Sequence, residues 1–419
     1  MTMGTLRLEE HHPPDSVALR RALLASILAL AIAMGIGRFA YTPILPAMRA
    51  AFGLSTVTLG LLASSNYLGY LVGALLATLL AGTRAHNLAL RLSLLGVVAT
   101  TALMASTTTV AVWIALRFLA GLASAGVFVL AAGAILDLLG RRRRPDLAGW
   151  FYSGVGLGIA LSGLVVLALG GIARGPAAWR ADWLGVALLA LLLGVPCWAW
   201  LPRDLPPAAP NPARSHRATG LAGVPRVVLP LCAAYFLEGA GYIVTGTFLV
   251  AIVAGLPGLG RLGADAWILV GLAAAPSTLL WLRAATRLGP VAALVLAYVA
   301  QAVGVALPAL SGSAWAAAVS ALLFGGTFVG ISALTIDNAR RRVPPAAAAP
   351  TIGALTAAFG LGQVAGPTLA SLLAGPDGDF GPALLVAAGC ILAGALITVA
   401  TGAATADLHP ADAVSERTD

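Results

Sequence analysis

The feature that most constrains this chain is a series of twelve long apolar segments separated by short polar breaks. Each segment has about 20 residues or more, the length that an α-helix needs to cross the ~30 Å hydrocarbon core of a bilayer. Only 10% of the 419 residues are charged, whereas a soluble protein carries about 25%. The sequence therefore predicts an all-α membrane protein with twelve transmembrane helices. The segments are 19–47, 55–82, 88–107, 110–138, 147–171, 181–201, 226–254, 264–282, 287–309, 313–338, 349–374 and 381–402.

The segments fall into two groups of six, which predicts two six-helix bundles. We expect a disordered N-terminal tail over 1–18 and a first bundle over 19–201. A linker rich in proline and arginine follows over 202–224, then a second bundle over 225–402 and a polar tail over 403–419. The first apolar run is too long for a signal peptide and lacks an A-x-A cleavage site, so we expect it to be retained as a span.

The placement of the arginines predicts the orientation. All 25 basic residues are arginines. With the N-terminus inside, nineteen of them lie on the inner side and four (Arg49, Arg174, Arg180 and Arg261) on the outer side. Such a bias is the signature of cytoplasmic loops. We therefore expect a multi-pass protein of the plasma (inner) membrane with both termini in the cytoplasm. The net charge of +9 is a topology signal, and we expect no nucleic-acid partner.

The residue inventory also excludes several kinds of chemistry. Without lysine, the chain can form neither a Walker A loop nor a pyridoxal Schiff base. The three cysteines match no metal spacing, and all five histidines fall in tails or loops. We therefore expect no cofactor and no metal site. The alternative from another class is a polytopic membrane enzyme, but the chain has no DDxxD, HExxH or GxSxG motif.

The two halves contain an internal repeat. With an offset of 200 residues, the end of the fourth span matches the end of the tenth, so that Asp137, Arg141 and Pro145 correspond to Asp337, Arg341 and Pro345. An offset of 204 aligns the glycines of the first span, in GIGRFAYT, with those of the seventh, in GAGYIVTG. Parallel six-span repeats are typical of transporters whose two halves rock about a central site.

Several motifs resemble one transporter superfamily. The six-plus-six repeat, the basic central linker, the RFLAG motif at Arg117–Gly121 and the glycine-rich fifth span resemble the major facilitator superfamily (MFS). Within it, GIGRFAYTPILP, NYLGYLVGAL and GYIVTGTFL resemble the YbfB/YjiJ-type branch. The loop after the second span departs from the superfamily, because GTRAHNLALR contains no acidic residue. The resemblance implies the MFS fold, with a cavity lined by the first, fourth, seventh and tenth spans.

Two charged residues lie at depth in the apolar segments. Arg38 is inside the first span and Glu238 is about 12 residues into the seventh, and a charge at that depth costs several kcal/mol unless it has a partner or a wet cavity. The resemblance implies that they face each other across the central cavity. Their pairing would then serve proton coupling or substrate contact, or alternatively act as a static ion pair between the halves.

Further polar residues are candidates for the same cavity and for its gate. Arg117 has either a role in the transport cycle, as the resemblance implies, or a fixed hydrogen-bonding role in the first half. At the inner helix ends, Asp137 and Asp337 are candidates for gating salt bridges with arginines of neighbouring loops, or alternatively for simple helix-end solvation. The candidate cavity residues are Arg38, Tyr41, Thr42, Asn66, Tyr67, Arg117, Glu238, Tyr242 and Thr245, and the candidate gating residues are Asp137, Asp337, Arg141 and Arg341.

These observations predict a secondary active transporter that works by alternating access. We expect a small polar or anionic organic solute, because two buried arginines and a single buried acid favour anions or zwitterions. We also expect coupling to protons and a monomer in the lipid bilayer. The alternative within the same fold is an efflux pump for drugs or metabolites.

Overall fold

The computed structural model describes residues 14–172, 175–201, 224–256, 262–374 and 378–406. Twelve helical spans in this part of the chain are long and apolar enough to cross a membrane, six before and six after the stretch 202–223. No strand occurs among the described residues. The predicted all-α fold with twelve membrane-spanning helices is therefore confirmed. Most of the predicted linker lies outside the described residues.

The first span consists of three pieces: α1 (Pro14–Leu30), a π-helical segment (Ala31–Arg38) and α2 (Tyr41–Phe52). Helix α1 begins inside the predicted tail 1–18, because a proline is well tolerated in the first turn of a helix. The other spans of the first half are α3 (Thr56–Leu80), α4 (His86–Leu103), α5 (Val110–Arg141), α6 (Ala148–Gly170) and α7 (Ala178–Trp200). Those of the second half are α8 (Leu229–Gly255), α9 (Gly263–Leu288), α10 (Pro290–Leu310), α11 (Ala314–Arg341), α12 (Ala348–Leu373) and α13 (Gly381–Ala406).

The repeat that the sequence shows is also visible in the structure. Helices α5 and α11 end in arginine clusters, and each is followed by a single 3₁₀ turn, Pro145–Leu147 and Pro345–Ala347. The two turns are 200 residues apart, which is the offset that relates the two halves of the sequence. In each copy an aspartate pairs with the arginine four residues later. We call the end of the molecule that carries these clusters the arginine-rich end, and the other the opposite end.

The two halves meet mainly along three helix pairs. Helix α6 packs against α9, α3 against α12, and α2 against α8. Glycines permit the closest approaches, since a Cβ on Gly156 of α6 would collide with the backbone of Ala275 in α9, and one on Gly271 of α9 with Ala160 in α6. These pairs enclose the central region of the molecule, and the middle of the first span lies there.

Candidate functional site

The first span is interrupted where its sequence is richest in glycine. Between Ala31 and Arg38 the hydrogen bonds run from one residue to the fifth before it, and the amide of Phe39 donates to the Met34 carbonyl at 3.1 Å. The segment is packed closely, because a Cβ on Gly35 would collide with the backbone of Gly158. Single π-helical turns inside α-helices occur frequently at functional sites.

The carbonyls at this interruption are satisfied by side chains from α3 and α5. The Arg117 guanidinium donates from Nη1 to the Gly37 carbonyl at 3.3 Å and from Nη2 to the Arg38 carbonyl at 3.0 Å. The Asn66 amide donates to the Arg117 carbonyl at 2.8 Å and to the Gly37 carbonyl at 3.4 Å. A carbonyl left unpaired in the bilayer core costs several kcal/mol. In this structure, Arg117 and Asn66 therefore hydrogen-bond backbone carbonyls within the first half, which was the alternative to a role of Arg117 in the transport cycle.

The side chain of Arg38 lies among aromatic rings. Its guanidinium carbon is 4.1 Å from the centroid of the Tyr70 ring, 5.0 Å from that of Tyr67 and 5.3 Å from that of Phe39. Only 2% of the residue is exposed, and its Nε and Nη2 atoms have no hydrogen-bond partner among the described residues. Cation–π contacts stabilise a desolvated cation by about 2 kcal/mol, but they leave the N–H donors free for an acceptor.

A stack of aromatic rings in the second half lies opposite. We call it the aromatic wall, and it consists of Tyr235, Phe359, Tyr242, Phe328 and Phe324. Neighbouring rings are nearly parallel, with centroids 4.3 Å apart at the Tyr235–Phe359 pair and 5.4 Å apart at the Tyr242–Phe359 pair. Tyr242 is the repeat counterpart of Arg38 and interacts electrostatically with it.

The hydroxyl of Tyr242 is held by a second polar side chain from α12. The Gln363 amide donates to it, and the amide oxygen of Gln363 remains without a partner among the described residues. The Arg38 guanidinium and the Gln363 amide therefore offer unpaired donors and an unpaired acceptor in the neighbourhood of Tyr242. This region is the candidate solute site.

The expected contact between Arg38 and Glu238 is not present in the structure. Glu238 is fully buried, yet neither carboxyl oxygen has a well-formed hydrogen bond to the described residues, and no ion pair within that part of the chain includes it. Its neighbouring polar group is Gln301 of α10, inside the second half. The physical reason is that the Glu238 side chain lies toward α10 inside its own half, where Gln301 adjoins it, and not toward the first span.

Other predicted cavity residues join neighbouring helices. The Thr42 hydroxyl donates to the carbonyl of its repeat counterpart Gly246 at 2.6 Å. The hydroxyls of Tyr67 and Thr247 are 3.3 Å apart. Both contacts link the first half to the second. Tyr41 remains within the first half, where its hydroxyl donates to the Leu59 carbonyl at 3.1 Å.

A further hydrogen bond joins the two halves, and one threonine hydroxyl nearby has no partner among the described residues. The hydroxyls of Ser64 and Thr368 are 2.9 Å apart, so α3 and α12 are joined as well. Thr245 is fully buried, and its hydroxyl has no partner among the described residues.

The predicted gating residues form pairs, but within single helices. Arg141 lies 2.9 Å from Asp137 and Arg341 lies 2.8 Å from Asp337, each pair four residues apart and well exposed. The expected bridges to arginines of neighbouring loops are therefore wrong for this conformation, because the i,i+4 spacing supplies each aspartate with a partner on its own helix. The polar contacts between the halves lie toward the opposite end instead.

Sequence reasoning missed two of the polar residues in this region, Gln301 and Gln363. Both are fully buried in apolar spans, and an uncharged amide inside such a segment was the signal that could have identified them. A cavity of about 710 Å³ also opens between α2 and α8 at the opposite end, lined by Arg49 and Ser55 among others. It lies between the Thr42–Gly246 contact and the opposite end of the molecule.

Comparisons with known proteins agree with this architecture. The family model described as "Uncharacterised MFS-type transporter YbfB" matches residues 30–399. A chloramphenicol resistance protein from Streptomyces lividans is 30% identical over 400 residues, which cover 91% of this chain and 98% of that protein.

Two solved transporters show the same fold. The nucleoside transporter NupG has a TM-score of 0.68 at 16% identity, and the alignment covers 91% of this chain and 99% of that chain. The xylose transporter XylE from E. coli, in an inward-open conformation, has a TM-score of 0.71 at 14% identity, with 91% of this chain and 96% of that chain covered. Because the family model covers most of the sequence, the chain belongs to the YbfB-type family of MFS transporters.

Proposed function

We propose that the protein is a proton-coupled exporter of small amphiphilic organic solutes. Such a solute has a planar apolar body and carries a hydrogen-bond acceptor that is neutral or anionic, such as a nitro, carbonyl or carboxylate group. The acceptor binds Arg38, and the body packs between Tyr70 and the aromatic wall. A donor on the solute, such as a hydroxyl or amide N–H, binds the free oxygen of Gln363.

The observation that carries this proposal is the state of Arg38. A buried guanidinium with two nitrogen atoms, Nε and Nη2, that have no acceptor is costly, so a ligand that supplies an acceptor gains about 1.5–3 kcal/mol from each charged hydrogen bond. The aromatic rings around it exclude water and favour a flat apolar group. This combination suits an aromatic acid or nitroaromatic compound better than a sugar, which needs many hydrogen-bonding partners.

Export is the direction that the chloramphenicol resistance relative supports, at 30% identity over almost its whole length. In the proposed topology, which follows from the positive-inside bias, the arginine-rich end lies on the cytoplasmic side. In this orientation the contacts from Thr42 and Ser64 close the outer side, while the aspartate pairs at the inner side do not join the halves. Alternating access then requires those outer contacts to open.

A transport assay tests the proposal with chloramphenicol as the probe. Inverted membrane vesicles containing the protein should accumulate chloramphenicol when a proton gradient is imposed, and Arg38→Gln should reduce accumulation at least about tenfold, which corresponds to ~1.4 kcal/mol. The matched control is Arg180→Gln, because Arg180 is exposed at the opposite end and stacks only on the neighbouring Trp179 ring at 5.1 Å. Equal accumulation by the two variants would remove Arg38 from the solute site.

A thermal-shift screen on the purified protein tests the solute class. Nitroaromatic amides and aromatic carboxylates should stabilise the wild-type protein and should fail to stabilise Arg38→Gln. If only sugars or nucleosides raise the unfolding temperature, the proposed chemistry of the solute is wrong.

A further inference from the structure

We infer that the coupling proton is held by Glu238 in a closed polar site inside the second half, built with Gln301, Tyr298 and Thr335 and separate from Arg38. The site lies between α8, which carries Glu238, α10, which carries Gln301 and Tyr298, and α11, which carries Thr335. The inference rests on the proposed function for its role in transport, but the site itself can be tested without any solute.

The burial of these four residues identifies the site. Each has an exposed fraction of 0%. Both carboxyl oxygens of Glu238, both polar atoms of the Gln301 amide, and the hydroxyls of Tyr298 and Thr335 lack a well-formed hydrogen bond to the described residues. Most buried polar groups in proteins are paired, so such groups call for an explanation. Here they adjoin one another, since Glu238 interacts with Gln301 and Tyr298, and Tyr298 interacts with Thr335.

No cation lies within ion-pair distance of Glu238 among the described residues. The helices packed against α8 are α2 and α9 to α13, and α10, α12 and α13 contain no charged residue in their described parts. The charged residues of the others lie toward helix ends, and they are Arg49, Asp265, Arg283, Arg287, Asp337, Arg340 and Arg341. Glu238 acts electrostatically on three ionisable groups of the described residues, and all three are tyrosines: Tyr235, Tyr242 and Tyr298.

A buried carboxylate without a cation is so costly that the group takes up a proton instead. The neutral acid has one O–H donor and one C=O acceptor, and the primary amide of Gln301 offers the complementary acceptor and donor. The pair can therefore form two hydrogen bonds after a small side-chain adjustment, whereas an ionised carboxylate would leave the amide oxygen unpaired. Gln301 is thus a positioning residue that is matched to the protonated form.

The proton site and the solute site share one turn of α8. Glu238 and Tyr242 are four residues apart, so their side chains lie on the same face of the helix. Tyr242 bonds Gln363 and interacts electrostatically with Arg38, so it belongs to the proposed solute site. A solute that displaces Tyr242 therefore moves the helical turn that carries Glu238, and coupling runs through this turn without an ion pair to Arg38.

Infrared difference spectroscopy on the full chain in proteoliposomes tests the site. The wild-type protein at neutral pH should show the C=O stretching band of a protonated carboxylic acid, and Glu238→Gln should abolish it. Gln301→Leu should move the band to higher frequency, because the carbonyl loses its hydrogen-bond donor. Arg38→Gln should leave the band in place. Asp182→Asn is the matched control and should keep the band that Glu238→Gln removes, since Asp182 is a buried carboxyl of α7 in the other half.

Absence of the band from the wild-type spectrum, or its survival in Glu238→Gln, overturns the inference. Loss of the band in Arg38→Gln also overturns it, because the proton would then depend on the arginine. Should Glu238→Gln fail to fold, the Gln301→Leu and Tyr298→Phe spectra decide, since an unchanged band in both contradicts the proposed site. A failure of chloramphenicol transport refutes the proposed export while leaving these spectra unaffected, so the two ideas fail separately.

Discussion

The hydrogen bonds that join the halves toward the opposite end should control which side of the transporter is open. Thr42 donates to the Gly246 carbonyl at 2.6 Å, and the hydroxyls of Ser64 and Thr368 are 2.9 Å apart. The double variant Thr42→Val with Ser64→Ala removes both bonds with little change in volume. It should shift the population toward the conformation that is open at the opposite end.

The magnitude follows from the number of bonds. Hydrogen bonds between membrane helices contribute about 0.6 kcal/mol on average and up to about 1.7 kcal/mol, and the two sites lie on different helices, so their effects should add. The total of about 1–3 kcal/mol corresponds to a 5- to 150-fold change in the ratio of the two conformations. A neighbouring residue provides the control, because the Ser65 hydroxyl bonds only the Leu62 carbonyl of its own helix at 3.0 Å.

Distance measurements by electron paramagnetic resonance provide the assay. The three native cysteines are first replaced, and spin labels are then attached through Leu54→Cys in the first half and Leu256→Cys in the second. Both positions lie at the opposite end, so the distance between the labels reports the separation of the two halves at that end. The double variant should show a larger fraction of the long distance, and Ser65→Ala should match the parent protein. Identical distance distributions in all three proteins would refute the reasoning.

Three further predictions concern stability and use thermal unfolding of the purified protein. Gly121→Ala should destabilise the protein by about 1–3 kcal/mol, because the added Cβ would collide with the Asn66 carbonyl. Gly133→Ala is the control in the same helix and should be neutral, since a Cβ there meets open space. Equal effects of the two substitutions would contradict the close packing at Gly121. Asn66→Leu should cost about 1–3 kcal/mol because it removes the two hydrogen bonds that the Asn66 amide donates to the Arg117 and Gly37 carbonyls, and an unchanged unfolding temperature would contradict this role. Asp337→Asn breaks an exposed pair and should change stability by less than about 1 kcal/mol, so a large loss would show that the pair holds the bundle together.

The sequence was sufficient for the fold because the bilayer imposes length and polarity on each span. The twelve predicted segments correspond to the twelve observed spans, and the repeat located the two equivalent helix ends at Asp137 and Asp337. It also identified Arg38 as the central charge. These features depend on composition and spacing, which can be read directly from the residues.

The partners of the buried side chains could not be predicted in the same way. A periodicity of 3.6 residues assumes an α-helix, and the π-helical segment that ends at Arg38 changes the direction in which the following side chains point. Arg117 therefore bonds backbone carbonyls that a regular helix would have occupied. Glu238 was assigned to Arg38 because the resemblance implies that both lie in one central cavity, but Gln301 lies beside it, and an uncharged amide gives only a weak signal in a sequence.

The interruption of the first span also bears on how the protein is assembled. Its carbonyls at Gly37 and Arg38 are paired by Arg117 and Asn66, which belong to helices that are synthesised later. A nascent first span that enters the bilayer alone lacks these donors, so a regular α-helix is then its favoured form. The π-helical turn is acquired only when α3 and α5 arrive, so the geometry of Arg38 is a product of helix assembly and not of membrane insertion.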